Sequence, residues 1–403
     1  MLAPQEVHDE SRTDVMVEQD EPSETNLTLT VLVPAHNEEA TLAQTLSSLW
    51  SQSRPPNRIV VVADNCTDAT PDIALENGAE VFATVDNTFK KAGGLNQALS
   101  ELLATMGEFD IVLVMDADTV LVPAFLEVAV GRLEADPSLD CVGGVFYGEG
   151  GSGIVGALQR NEYVRYSRDI ARHKGRVLVL TGTASIFRAE LMKEIAAQRG
   201  TAFPGTPGQV YDTLSLTEDN EITLASKTLG AKMVSPRECR TITEVMPSWG
   251  DLWRQRMRWQ RGALENIKNY GITRTTLRYW GQQCGLGYGT IALNCFLLLM
   301  LLTILCTGSL HLVPLWTIIG TVFIVERVVT VWRGGWSARL LAAPLVIELA
   351  YDLFQQAVYV KSLLDLVAHR EATWNHVDRS ADAEDDGGAP ETIDNNQRAE
   401  ALV

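Results

Sequence analysis

Asp116 and Asp118 close the stretch Asp110 to Asp118, DIVLVMDAD, in which the apolar run Ile111 to Met115 stops at two carboxylates spaced i, i+2. Past the end of a strand the chain can turn both acids toward one point. With Thr119 beside them they have no use in a core, because they repel unless a cation sits between them. A hard, oxygen-seeking metal that also holds phosphate is the simplest occupant. A solvated Asp-rich turn has the same spacing, so these residues alone leave both readings open.

The elements that must position such a pair are legible around it. Leu27 to Val33 is a strand-like run ended by Pro34, followed by the loop PAHNEE and a helical pattern with Leu42, Leu46 and Leu49 on one face. Ile59 to Ala63 lacks alternation, as a strand buried on both faces does, and it ends at Asp64. A helix, a short strand from Glu80 to Val85 and a helix from Gly94 to Met106 lead into DIVLVMDAD. Strands alternating with helices predict an α/β fold with a doubly wound, mainly parallel sheet. Ligands of such sheets lie beyond the carboxyl ends of the strands. Three strand ends here carry Pro34 to Glu39, Asp64, and Asp116 with Asp118. No GxGxxG follows the first strand and no GxxxxGK[ST] occurs, so dinucleotide and P-loop sites are unsupported. A nucleotide held through a metal and a base-binding Asp remains.

Composition excludes other classes. The 403-residue chain has a formal charge of −18, but residues 1–26 and 371–403 each contribute −7 and read as disordered acidic tails. No large basic stripe with interleaved aromatics appears, which argues against nucleic-acid binding. Six scattered cysteines without a CxxC pair fit a reducing compartment better than a disulfide framework or a zinc site. The polar, acidic N-terminus is unlike a secretory signal peptide, and the histidines show no ligand spacing.

The residues together resemble the family-2 glycosyltransferases, with a GT-A nucleotide-sugar domain, and in particular the membrane-bound branch of the cellulose, chitin and hyaluronan synthases. Matching elements occur in order: PAHNEE followed by Asp64, the DAD of Asp116 to Asp118, Thr217-Glu218-Asp219, and Gln255-Arg256-Met257-Arg258-Trp259 as QxxRW. Lys91 to Asn96, KAGGLN, is similar to the family's KAxALN, with Gly94 where Ala is usual. The resemblance covers roughly residues 29–262.

It implies that Asp64 hydrogen-bonds the uracil of a UDP-sugar, with Pro34, Ala35, Asn37 and Glu38 around the base. Asp116 and Asp118 are implied to bind Mg2+ or Mn2+ bridging the phosphates, Asp118 directly and Asp116 nearer the ribose or sugar. Lys91 precedes a helix start, where ammonium and backbone N–H groups can face diphosphate; a surface lysine beside Lys90 is the plain alternative. Inverting transfer needs one carboxylate base, and Asp219 of TED fits that role, although Thr-Glu-Asp is also a good helix N-terminus. Gln255 and Arg258 are assigned to the nucleotide-sugar, and Trp259, with Gly182, Thr183 and Glu218, to the acceptor. Gln159 to Tyr166 is a further acceptor-binding element. The many arginines around QxxRW also suit a helix lying on anionic lipid.

Domain expectations follow: a GT-A domain over 27–262, a basic interfacial segment over 263–285 and a membrane region over 286–370. Leu286 to Gly308 carries no charge and is long enough to cross a bilayer, which takes about 20 apolar residues. A second span is expected over about 312–332, joined by a link at His311. Glu348, Asp352 and Gln356 form a polar stripe on the helical pattern 340–366, which either lies at the interface or spans with the stripe toward a saccharide path. Basic residues before the first span and after the second place the catalytic domain in the cytoplasm. The reading is a multi-pass, membrane-anchored, inverting glycosyltransferase that moves a sugar from a UDP-sugar to a saccharide acceptor, forming a β-linked product. Single transfer to a lipid or protein acceptor, and an inactive sugar-nucleotide-binding scaffold, are the alternatives. So few spans leave a homo-oligomer open as the route for exporting a polymer.

Overall fold

The computed structural model describes residues 26–308 and 314–370. Residues 1–25, the link at His311 and residues 371–403, on which expectations were placed above, lie outside that range.

The first half alternates as the sequence predicts: β1 (Thr28–Ala35), α1 (Leu42–Trp50), β2 (Arg58–Ala63), α2 (Thr70–Glu76), β3 (Glu80–Ala83), α3 (Lys90–Thr105) and β4 (Asp110–Met115). Then come β5 (Val120–Leu121), α4 (Phe125–Ala135), β6 (Cys141–Gly143), β7 (Val145–Gly148), α5 (Gly153–Arg172), β8 (Ala184–Arg188) and α6 (Ala189–Gln198). The chain continues through α7 (Glu218–Thr228), β9 (Met233–Val234), β10 (Arg240–Thr243) and α8 (Trp249–Tyr270). Seven strands form the main sheet in the order β3-β2-β1-β4-β8-β6-β9, and β5-β10-β7 form a small second sheet. The pairs β3-β2, β2-β1, β1-β4 and β6-β9 are parallel, whereas β8 runs antiparallel to β4 and β6.

Residue alternation decides what covers the sheet. Val31, Val33, Ile59, Val61, Ile111 and Leu113 pack with Leu42, Leu46 and Leu49 of α1 and Phe125 of α4. Leu32, Val60, Val62, Val112 and Val114 pack on the other face with Leu95 and Leu99 of α3 and Met192 of α6. Burial on both faces is why these strands read as unbroken apolar runs. Strand β3 ends at Ala83, two residues before the expected Val85, and two further boundaries move. Strand β1 runs through Pro34 to Ala35, because its ladder with β4 already ends at Leu32 and the missing N–H breaks no bond there. Helix α3 starts four residues earlier than predicted, at Lys90, whose left-handed φ of 54° turns the chain into it.

The C-terminal part comprises α9 (Leu277–Thr307), α10 (Pro314–Thr330), a short 3-10 turn at Trp332–Gly334, α11 (Gly335–Ala342) and α12 (Leu345–Val367). Residues 262 and 285, where the expected basic segment is bounded, lie inside α8 and α9. Among the described residues, α9 alone is long and apolar enough to cross a membrane. The second expected span, about 312–332, overlaps α10, of which 17 residues are described. Pro344 separates α11 from α12, which divides the helix predicted over 340–366. Its polar stripe is turned inward. Glu348 pairs with Arg165 of α5 at 2.7 Å, Asp352 with Arg327 of α10 at 2.5 Å, and Gln356 accepts from Asn294 of α9. These pairings dock α12 on its neighbours.

Candidate active site

The strand order places the chemistry at one end of the sheet. Asp64 follows β2, and its backbone N–H donates to the Ala35 carbonyl at the end of β1. Asp116 follows β4, and its N–H donates to the Thr183 carbonyl just before the antiparallel β8. That reversal carries Thr181 to Thr183 to the tip of β4. A cleft of about 940 Å³ opens there, lined by Pro34, Ala35, Glu38, Asp64, Lys91, Asp116, Asp118, Gly182, Thr183, Glu218, Asp219, Gln255, Arg258 and Trp259. Every residue singly assigned to the site from the sequence is among these except Asn37, and of the Gln159 to Tyr166 element Tyr163 and Tyr166 line the cleft. Asn37 instead accepts hydrogen bonds from the backbone and hydroxyl of Thr67, bracing the loop behind Asp64.

Lys91 lies in the first turn of α3, and its ammonium bridges Asp116 Oδ1 at 2.6 Å and Glu218 Oε1 at 2.7 Å. It is therefore not a surface lysine. The two carboxylates hold its pKa well above the usual value although burial pulls it down. Burial, then the charge of Asp118, raises Asp116 against the pull of Lys91. Burial is the largest influence on Glu218 too, but Lys91 and Arg258 outweigh it and keep that carboxyl low.

Asp219 sits in the first turn of α7. Its Oδ1 accepts from the Asn220 N–H at 2.7 Å, and its Oδ2 from the Gly182 N–H at 3.3 Å. Burial first, then the charge of Glu218, pushes its pKa up to about 6. Thr217 occupies the cap position but makes no side-chain capping bond; its hydroxyl accepts from Asn266 of α8 instead. The carboxylate of Asp219 is thus held at the cleft, and the helix start is not sealed by Thr217.

Beyond Asp219 the lining turns aromatic, with Phe146, Tyr163, Tyr166, Trp253 and Trp259. Phe146 packs edge-on against Tyr163, with ring centroids 4.7 Å apart. Burial, with the charge of Asp219 second, pushes the Tyr166 phenol up to about 12. The guanidinium of Arg256 stacks 4.4 Å above the Trp259 ring, so one face of that indole is already covered. Gln255 presents a buried side-chain oxygen with no hydrogen-bond partner, an orphan acceptor of the kind a ligand satisfies. The cleft then runs on to Gln282, Gln283 and Leu286 of α9 and to Asp365 and Arg370.

A divalent ion fits the donor set. No cluster of three or more His, Cys, Asp or Glu side chains able to hold a metal occurs among the described residues. Asp116 and Asp118 supply hard oxygens only, which suits Mg2+ or Mn2+ completed by substrate phosphates and water rather than a closed protein cage.

Residues that sequence reasoning missed are mostly second partners: Thr84, Asn65 and Asn87 all donate to Asp64 Oδ1. His36, given no role above, lines the cleft, and its Nδ1 lies 2.6 Å from the Asp64 carbonyl oxygen. For the α9 and α12 residues no local signal exists, since only tertiary packing brings them to the cleft.

The chain belongs to the glycosyltransferase-like family 2, whose model matches residues 26–262. It is 24% identical over 258 residues to the poly-beta-1,6-N-acetyl-D-glucosamine synthase of Staphylococcus aureus, covering 62% of this chain and 58% of that one. The Staphylococcus epidermidis synthase of the same name is 24% identical over 243 residues, 59% of this chain and 55% of that one. The chain therefore spans less than two thirds of the length of these curated relatives. Among solved structures it is similar to a mannosyltransferase from Pyrobaculum calidifontis in complex with GDP-Man and Mn2+. That match has a TM-score of 0.52 and 19% identity, and it covers 86% of this chain and 90% of that one.

Proposed function

We propose that the protein is an inverting glycosyltransferase that moves a sugar from a UDP-sugar to a saccharide acceptor and builds a β-linked poly- or oligosaccharide. The observation that carries this reading is the convergence of Asp64, Lys91, Asp116, Asp118 and Asp219 on a single cleft that continues past an aromatic wall. Asp64 reads the nucleobase and Lys91 and Arg258 meet the diphosphate. When bound at Asp116 and Asp118, Mg2+ or Mn2+ supplies further charge neutralisation to the departing UDP. Asp219 takes the proton of the acceptor hydroxyl as its oxygen bonds the anomeric carbon from the face opposite UDP, and the carbon–UDP bond breaks. A carboxylate raised to about 6 is ionised at neutral pH and a stronger base than an ordinary Asp.

Aromatic faces beside the base suit the apolar face of a sugar ring, which supports a saccharide acceptor. The names of the staphylococcal relatives support a β-linked polymer. The mannosyltransferase neighbour was solved with a guanine nucleotide, so the fold alone does not choose the base, and uracil rests on Asp64. A second reading, single transfer to a lipid or protein acceptor, draws on α9, which is long and apolar enough to cross a bilayer. We also place the chain in the cytoplasmic membrane through α9, with the catalytic domain in the cytoplasm beside Arg274 and Arg278.

A UDP-sugar panel with Mn2+ or Mg2+ and mass spectrometry of the products tests the donor and the acceptor together. Asp219→Asn is expected to abolish turnover while UDP still binds; retained turnover in that variant overturns the base assignment.

A further inference from the structure

We propose that Asn87 is a positioning residue that ties nucleobase recognition to diphosphate binding, so that both ends of the donor nucleotide are set by one side-chain amide. The inference deepens the donor reading above and rests on it.

Asn87 is buried between the two halves of the donor site. Its Nδ2 donates to Asp64 Oδ1 at 2.7 Å and also to the Lys90 carbonyl at 2.7 Å, while its Oδ1 accepts from the Phe89 N–H at 3.0 Å. The Asn87 carbonyl in turn accepts from Asn65 Nδ2, which also reaches Asp64. With Thr84, these donors all converge on one oxygen of Asp64. No described residue hydrogen-bonds Oδ2, which keeps that oxygen for a ligand N–H.

The second bond acts on the other half. Lys90 is a non-glycine residue at φ 54°, a strained conformation that persists only when its surroundings hold it. The Asn87 amide grips the carbonyl of that residue. The turn it holds starts α3, and the next side chain, Lys91, reaches Asp116 and Glu218.

KAGGLN contains the space this amide needs. A Cβ on Gly93 would lie 2.1 Å from Asn87 Oδ1 and 2.7 Å from the Phe89 Cβ. The Phe89 Cβ is fixed by the tight turn, whereas Asn87 Oδ1 is the end of a side chain and is what an added methyl pushes aside. Gly93 is thus the position at which a side chain would displace the brace without changing its chemistry.

The test uses full-length protein and calorimetric titration of UDP, GDP and ADP with Mn2+. The nucleotide that wild type binds most tightly then serves for all variants. Asn87→Asp keeps the shape and the Phe89 contact but replaces both donors, and Gly93→Ala displaces the native amide. Each is expected to weaken nucleotide binding ~10-fold or more, the size of a lost hydrogen bond to a charged group, and to lower discrimination among the three bases. In an Asp64→Ala background the loss from Asn87→Asp is expected to shrink, because one of the two things it positions has gone. Thermal melting of every variant reports whether it folds. Unchanged affinity in folded Asn87→Asp and Gly93→Ala, or an equal loss with and without Asp64, overturns the proposal. Tighter binding of GDP or ADP than UDP by wild type refutes the uracil reading instead, and the same variants still judge Asn87.

Discussion

Asp219 owes its basicity to the company it keeps. Burial and the adjacent Glu218 carboxylate raise it to about 6. A base must be ionised to act, so kcat/KM is expected to rise with pH through about 6 and to level above it, as a pH–rate profile will show. Removing the like charge with Glu218→Gln lowers the Asp219 pKa and is expected to move that limb to lower pH; a limb that stays in place separates the two groups. The acids of this site were legible in the sequence, since Asp116 and Asp118 stand past a strand end and Asp219 at a helix start, where no core needs them. Asn87 was not legible. A single Asn in a connecting segment has no pattern, and its importance comes from two bonds that only the folded turn brings within reach.

At the scale of elements, Asp219 is placed by the loop before α7 as much as by α7 itself. Arg199, fully buried, forks onto Glu221 at 2.5 and 2.7 Å and donates to the carbonyls of Pro204, Gln209 and Val210. Asn96, the last residue of KAGGLN, receives the N–H groups of Val210 and Tyr211 from the same loop. Removing one partner of a buried ion pair leaves the other charge stranded, so Arg199→Met is expected to cost about 3 kcal/mol or more in denaturant unfolding. Apolar runs and leucine spacing located β1, β2, β4 and α1, because burial on two faces leaves a direct imprint on composition. The antiparallel β8 left no such imprint, since pairing direction has no local signature, and it is β8 that brings Gly182 to Asp219.

The whole molecule divides its surface unevenly. The apolar window of α9 is not buried against the protein, and Trp332, Trp336 and Leu340 are also exposed near the start of α11. Arg339 lies 3.9 Å from the centre of one indole and 4.8 Å from the other, a pairing of aromatics and cation suited to a headgroup region. The protein is expected to stay with the membrane fraction in about 1 M salt, which screens surface charge to a Debye length of ~3 Å, and to leave it only in detergent. Release by salt alone would mark a peripheral protein. Helix α9 was foreseen from its uncharged run, whereas the inward pairing of Glu348 and Asp352 was not, because a polar stripe has the same sequence whether it meets water, sugar or arginine.

The bridge that Lys91 makes between Asp116 and Glu218 has a kinetic corollary. The resting site already carries its own counter-charge, so a free divalent ion arriving alone gains little by displacing the ammonium from Asp116. A diphosphate changes that balance, since it offers the lysine a new anion and the ion further oxygens. Substrate addition should then be ordered, with Mn2+ taken up weakly by nucleotide-free protein and tightly once UDP is present, as calorimetry of each arm will show. Lys91→Met is expected to erase that order and bind Mn2+ without nucleotide. The lysine would then act as a gatekeeper that keeps stray cations out of an idle enzyme.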